Sequence, residues 1–301
     1  MYHYQAYGVT FAVPFACPSM TAAPAGAVLD ITVVEGPVAG CLPKPVVTEP
    51  MFDASADEFL IRGGSRAARF LVTRGERVTF APNPQADERM LAVRFTTMVL
   101  PAVLRQRGLL VLHANSTVTE HGALAIAGDS GAGKSTTLAG LLADGARMLS
   151  DDVTALQLDS HGVVQALPGV AEVHLSETST AGLAMDVTGL LRQPWRRMKT
   201  AVPTTDRMAS EPAALTTVYV LSVGDGREVR AEEQFGSAKF AALSGCVYGP
   251  VLAREGPSMF ALFVAVLEQS TVIRVVRPAG TWSVDAVLDT IARRKHAGAT
   301  A

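Results

Sequence analysis

Gly128-Asp129-Ser130-Gly131-Ala132-Gly133-Lys134-Ser135 fits G-x-x-x-x-G-K-[ST] at every position. It stands between an apolar run, Ala123–Ala127, and a stretch from Ser135 to Ala143 whose residues favour a helix. Strand, glycine-rich turn and helix are the context that phosphate binding requires. Glycines let successive backbone N–H groups turn inward as an anion nest, and the helix N-terminus adds its partial positive charge. Lys134 is then placed to reach β- and γ-phosphates, and the Ser135 hydroxyl to ligate Mg²⁺. The stretch Gly128–Thr136 is therefore predicted to bind a nucleotide such as ATP. An ordinary glycine-rich turn is the plain alternative.

The next strand, Arg147–Ser150, ends in Asp151-Asp152, with a single helix between the loop and the two acids. Magnesium on a phosphate needs a carboxylate, and a hydroxyl nucleophile needs a proton acceptor, so an adjacent pair supplies both. His113 closes a strand at Leu109–Leu112, which is expected to lie beside the phosphate-loop strand and to turn the imidazole toward the acids. Arg192, Arg196, Arg197 and Lys199 gather around Trp195 and suit a clamp on a transferring phosphoryl group, with a solvated loop as the alternative. His3, His121, His161, His174 and His296 fall in turn-like or terminal contexts and are given no role. Asp144, Glu172, Glu177 and Asp186 are read as surface charges, Glu172 least securely because it follows Pro168-Gly169.

Outward from this centre the chain divides in two. Residues 1–86 show short apolar stretches broken by Pro and Gly, with strands expected at Ala27–Val34, Phe59–Arg62, Ala68–Thr73 and Arg77–Phe80. Residues 87–108 read as a bridging helix capped by Asp87 and bent at Pro101. Residues 109–301 alternate strand and helix, with further strands at Leu215–Ser222 and Val272–Val276 and helices at Ser258–Gln269 and Val284–Lys295. The expected fold class is α+β.

Composition excludes several roles. Of 301 residues, 49% are hydrophobic and 18% charged, which rules out disorder. A net charge of −2 gives no general attraction to nucleic acid or to an anionic membrane. Met259–Leu267, the longest apolar run, is far short of the roughly 20 residues that span a bilayer. Met1–Met20 carries no Lys or Arg for a secretory n-region, so a cytoplasmic location is expected. Three cysteines without C-x-x-C spacing argue against disulfides or a zinc site.

In the order Leu112-His113, Gly128–Ser135 and Leu149-Ser150-Asp151-Asp152 the chain resembles the HPr kinase/phosphorylase family. Met1-Tyr2-His3-Tyr4-Gln5-Ala6-Tyr7-Gly8 and the stretch from Phe70-Leu71-Val72 to Pro82 look like the HPr-kinase-related serine kinases of lasso peptide biosynthesis clusters. The resemblance implies a β-rich N-terminal domain and an α/β P-loop kinase core of HPr-kinase type. It also implies ATP-dependent phosphorylation of a serine on a precursor peptide, with Mg²⁺. Asp151 would accept the proton, Asp152 and Ser135 would hold the metal, His113 would orient the acid, and Lys134, Arg197 and Lys199 would contact phosphate. Thr136 stands where the HPr enzymes usually have Glu, and Leu167-Pro168-Gly169-Val170-Ala171-Glu172-Val173-His174-Leu175 replaces their long signature, so dephosphorylation and HPr recognition are not carried over. Three other readings stay open: a nucleotide-dependent regulator or leader-peptide-binding module with slow hydrolysis, an HPr kinase, and a small-molecule kinase. Homo-oligomerisation is left open.

Overall fold

The computed structural model describes residues 1–62, 68–190, 192–193, 198–248 and 256–298, with side chains of the last helix described to residue 294. It is an α+β protein of mixed sheets and helices. Two compact units divide it: Met1–Val111 with Tyr248–Phe263, and Leu112–Val247 with Val264–Ala301. Residues 87–108, read from sequence as a bridge, lie within the first unit, as does the segment that begins at Tyr248.

The first unit carries a nine-stranded sheet. A hairpin of Tyr2–Ala6 and Val9–Val13 runs parallel to Ile31–Glu35, which pairs with Arg77–Ala81 and so leads into the meander of Arg69–Thr73 and Glu58–Ile61. The strand expected over Ala27–Val34 starts only at Ile31. Asp30 is occupied before it, its Oδ2 accepting from Thr10 N–H at 2.9 Å. Phe11 and Phe15 each meet Phe95 edge to face, at 5.8 and 5.9 Å between centroids. Asp87 caps its helix as the sequence predicts, with Oδ1 accepting from Met90 N–H at 2.7 Å. Pro101 does more than bend that helix. Having no N–H, it leaves the Thr97 carbonyl without its helical donor, the turn Phe95–Val99 widens to π geometry, and the Tyr248 hydroxyl donates to Thr97 O at 2.6 Å.

In the second unit one sheet runs in the order Thr154–Leu158, Val164–Ala166, Ala213–Gly224, Gly122–Gly128, Ala114–Thr119, Arg147–Ser150. Thr271–Pro278 lies parallel to Ala213–Gly224. The neighbours of the phosphate-loop strand are thus Ala213–Gly224, parallel, and Ala114–Thr119, antiparallel, and the expected neighbour, Leu109–Leu112, is neither. Hydropathy gives no sign of the Ala114–Thr119 strand, because Asn115, Ser116 and Thr117 are polar yet fully buried. The burial of the two hydroxyls is matched by hydrogen bonds: Ser116 Oγ to Ser150 Oγ at 2.8 Å and Thr117 Oγ1 to Arg147 O at 2.7 Å.

Helix Lys134–Ala143 packs Leu138, Leu141 and Leu142 into a core shared with Val287 and Ile291 of helix Val284–Gly298 and with Val173 and Leu175. The last two come from a small sheet of Glu172–Leu175, Lys199–Pro203 and Arg192–Gln193. No helix among the described residues is long and apolar enough to cross a membrane.

Candidate active site

Strand Gly122–Gly128 delivers the glycine-rich turn to the start of helix Lys134–Ala143. Gly128 is required where the strand ends: its φ is +132°, and a Cβ there would sit 2.2 Å from Leu221 O. Gly133, at φ +107°, is the left-handed residue that opens the helix. Arg277, at the end of strand Thr271–Pro278, holds the turn from outside. Its Nε donates to Ala132 O at 2.6 Å and its Nη2 to Gly131 O at 2.7 Å. With these carbonyls fixed on a guanidinium, the orientation of the intervening peptide planes is set before any anion arrives.

Lys134 is buried, and its Nζ donates to Gly128 O at 2.7 Å and Asp129 O at 3.3 Å, with His113 Nε2 also at 3.3 Å. Burial lowers its pKa, against the pull of the Asp152 carboxylate. An ammonium can only donate, so Nε2 of His113 is the acceptor and its Nδ1 carries the proton, directed to Asp152 O at 3.1 Å. Burial lowers the His113 pKa, with the Lys134 charge acting in the same sense, and the ring is neutral near pH 7.

The two acids have unlike surroundings. Asp151 is buried; its Oδ1 accepts from the Ser135 hydroxyl at 3.1 Å and its Oδ2 from His174 N–H at 3.0 Å. Asp152 is half-buried and lines a cavity of about 670 Å³ together with Gly131, Lys134, Lys199 and Arg277. Its backbone is left-handed, φ +64°, in a three-residue turn closed by Val153 N–H to Asp151 O at 2.8 Å. Asn115 Oδ1 accepts its N–H at 3.1 Å, so the turn is gripped by Asn115 and His113 on opposite sides.

His113, Lys134, Ser135, Asp151, Asp152 and Lys199 therefore meet in one place, as do Ser130, Gly131 and Gly133 of the loop. Asp129 contributes its carbonyl to Lys134, and Thr136 is bonded to Ser179 Oγ at 2.8 Å. Arg196 and Arg197 lie outside the described residues. Arg192 and Lys199 are not loop residues but sit on paired strands, and Arg192 reaches the exposed Glu177 at 2.9 Å, away from phosphate chemistry.

Sequence reading missed Asn115, Arg277 and His174. The first two carry no local signal, being a polar residue and an arginine on strands. His174 had one: with Glu172 it forms an i, i+2 pair on a strand and so shares a face. Its Nε2 is 2.8 Å from Glu172 Oε1 and its Nδ1 3.5 Å from Asp151 Oδ2.

The site combines cations around an open cavity with two carboxylates at one end, which suits a polyphosphate, its metal and a hydroxyl acceptor. No family model matches the chain, and no curated protein does. Among solved structures it is similar to the structure of the Hpr(Ser) kinase/phosphatase from Coxiella burnetii, at 11% identity and a TM-score of 0.33, over 64% of this chain and 99% of that chain. The chemistry rests on the residues themselves.

Proposed function

We propose that the chain is an ATP-dependent kinase with a P-loop core of HPr-kinase type, transferring the γ-phosphoryl group to a serine hydroxyl. The observation that carries this reading is the Ser135–Asp151 hydrogen bond at 3.1 Å, which ties the phosphate loop to the acidic pair and leaves Asp152 facing the cavity. The roles expected from sequence are exchanged. Asp151 is the metal-side carboxylate, and Asp152 accepts the proton. Ser135 and Asp151 fit Mg²⁺, because two hard oxygens at 3.1 Å match adjacent ligands about 3 Å apart around an ion with bonds near 2.1 Å. When bound, the ion supplies neutralisation of phosphate charge.

The acceptor oxygen attacks the γ-phosphorus as the bond to the β–γ bridging oxygen breaks, and the acceptor proton passes to Asp152. Lys134, Lys199 and Arg277 offset the charge left on the nucleoside diphosphate. Lys134 exchanges one of its main-chain partners for a phosphate oxygen. The serine is assigned to a precursor peptide on the resemblance to the lasso-cluster kinases. A flexible segment also suits a cavity that must bring a hydroxyl within about 3.5 Å of phosphorus.

Incubation with γ-labelled ATP and a precursor peptide tests the reading. Label on a peptide serine is expected. Free phosphate without transfer would favour the slowly hydrolysing regulator, and label on folded HPr alone would replace the acceptor.

A further inference from the structure

One side of the cavity plays no part in phosphoryl transfer as derived above. Strands Gly122–Gly128 and Thr271–Pro278 both run parallel to Ala213–Gly224, so their carboxyl ends open at the same end of the sheet. The phosphate loop leaves the first of them, and the turn 279–283 leaves the second and enters helix Val284–Gly298. Gly280, Trp282, Ser283, Val284 and Val287 line the cavity together with the loop. We propose that this turn and helix start hold the nucleoside of the nucleotide, with the base stacked on Trp282 and a polar atom of the nucleoside bonded to Ser283 Oγ. The inference deepens the proposed function and rests on it.

Position argues first. In open α/β sheets ligands bind beyond the carboxyl ends of parallel strands, and here two such ends face one cavity. Arg277, whose guanidinium holds the carbonyls of Gly131 and Ala132, stands on the strand that leads into the turn, five residues before Trp282. The phosphate loop and the indole are thus tied to one strand end.

The ring argues second. A Cβ on Gly182 would overlap Cη2, Cζ3 and Cζ2 of the indole, so the ring is seated on the main chain of helix Glu177–Gly182 at a point that only glycine leaves open. The residue is nonetheless 38% exposed and lines the cavity. A ring already fixed from one side loses little freedom when a base stacks on it. Val284 and Val287, three apart on their helix and so on one face, add an apolar wall beside it.

The hydroxyl argues third. Ser283 O accepts from Val287 N–H at 3.1 Å, which places Ser283 where a capping serine spends its hydroxyl on a main-chain N–H. Its Oγ is buried and has no hydrogen-bond partner among the described residues. A buried hydroxyl left unpaired is a cost that a polar ligand atom removes. The rival occupant of this side of the cavity is the acceptor peptide.

Calorimetry of the full chain with Mg²⁺ and either the β,γ-imido analogue of ATP or tripolyphosphate, which has no nucleoside, tests the proposal. On the unaltered chain the nucleotide should bind at least tenfold tighter than tripolyphosphate. Trp282→Ala should remove that advantage and leave tripolyphosphate binding unchanged, which also reports that the variant is folded. Trp282→Phe keeps an aromatic face and should restore most of the advantage, and Ser283→Ala should weaken the nucleotide alone by about fivefold. If neither ligand binds the unaltered chain, the phosphate-loop reading fails and the platform with it. Equal binding of the two overturns the platform alone. So does an equal loss of both in Trp282→Ala, which would make the ring structural, or a raised KM for the acceptor peptide at intact nucleotide affinity, which would give the ring to the acceptor.

Discussion

The Nδ1–H of His113 donates to the main-chain carbonyl of Asp152 at 3.1 Å, while Asn115 Oδ1 accepts the N–H of the same residue at 3.1 Å. Both partners act on the backbone of Asp152, and its carboxylate is aimed by the turn they hold. That division of labour predicts unlike variants. Asp152→Asn should keep Mg·ATP binding and reduce phosphoryl transfer by about two orders of magnitude or more, the range for losing a positioned base. Asp151→Asn should instead weaken metal-supported nucleotide binding. Titration calorimetry with label transfer separates them, and the reverse pattern would return the roles to those expected from sequence.

A left-handed non-glycine residue at φ +64° carries strain of about 1–3 kcal/mol. Asp152→Gly should therefore be more stable than Asp152→Ala by about 1 kcal/mol in denaturant unfolding, although neither transfers phosphate. Equal stabilities would mean that the turn is unstrained.

The phosphate loop was legible because its chemistry is local: glycine, lysine and serine must stand at fixed spacing between a strand and a helix. Helix Lys134–Ala143 was legible from residues that favour a helix directly after the glycine turn, and Pro257–Gln269 and Val284–Gly298 from their apolar patterning. Ala114–Thr119 was not, since a strand buried through hydrogen-bonded Asn, Ser and Thr has the composition of a loop. Arg277 and Asn115 act across the fold, from strands distant in sequence, and no spacing announces such a pairing. His174 was misjudged as a turn residue because strand Glu172–Leu175 is short and follows Pro168-Gly169.

His113 is buried with its pKa lowered by burial and then by the Lys134 charge, against Asp152 and Asp151. The sign follows directly. Below the ordinary imidazole value of 6.5 the unfolded chain takes up a proton that the folded chain refuses, so this group's contribution is full above pH 6.5 and declines as pH falls beneath it. Urea unfolding from pH 7.5 downward should show the loss, and His113→Asn should remove that component of the slope. An unchanged slope in the variant would assign it to other groups.

Arg277 spans two loop carbonyls, Gly131 O and Ala132 O, which a single ammonium cannot do with the same geometry. Both Arg277→Met and Arg277→Lys should raise the KM for ATP about tenfold, with a smaller effect on kcat, because what is lost is the set of the loop before binding. A fall in kcat at unchanged KM would place Arg277 on the transferring phosphate instead.

Tyr248 and Pro101 form a linked pair through the Thr97 carbonyl. Proline withholds the N–H that would bond Thr97 O in a regular helix, and the Tyr248 hydroxyl at 2.6 Å takes its place. Tyr248→Phe should leave a half-buried carbonyl without that donor and cost about 1–3 kcal/mol. Pro101→Ala alone restores an N–H and lets the π turn relax toward α geometry, so the two donors would compete. In the double variant the alanine N–H can satisfy Thr97 without tyrosine, and the cost of Tyr248→Phe should shrink to below about 1 kcal/mol. Chemical denaturation of the four chains gives the coupling energy. Strict additivity would show that the hydroxyl does not substitute for the missing helical donor, and would leave the widened turn to be explained by packing around Phe95 alone.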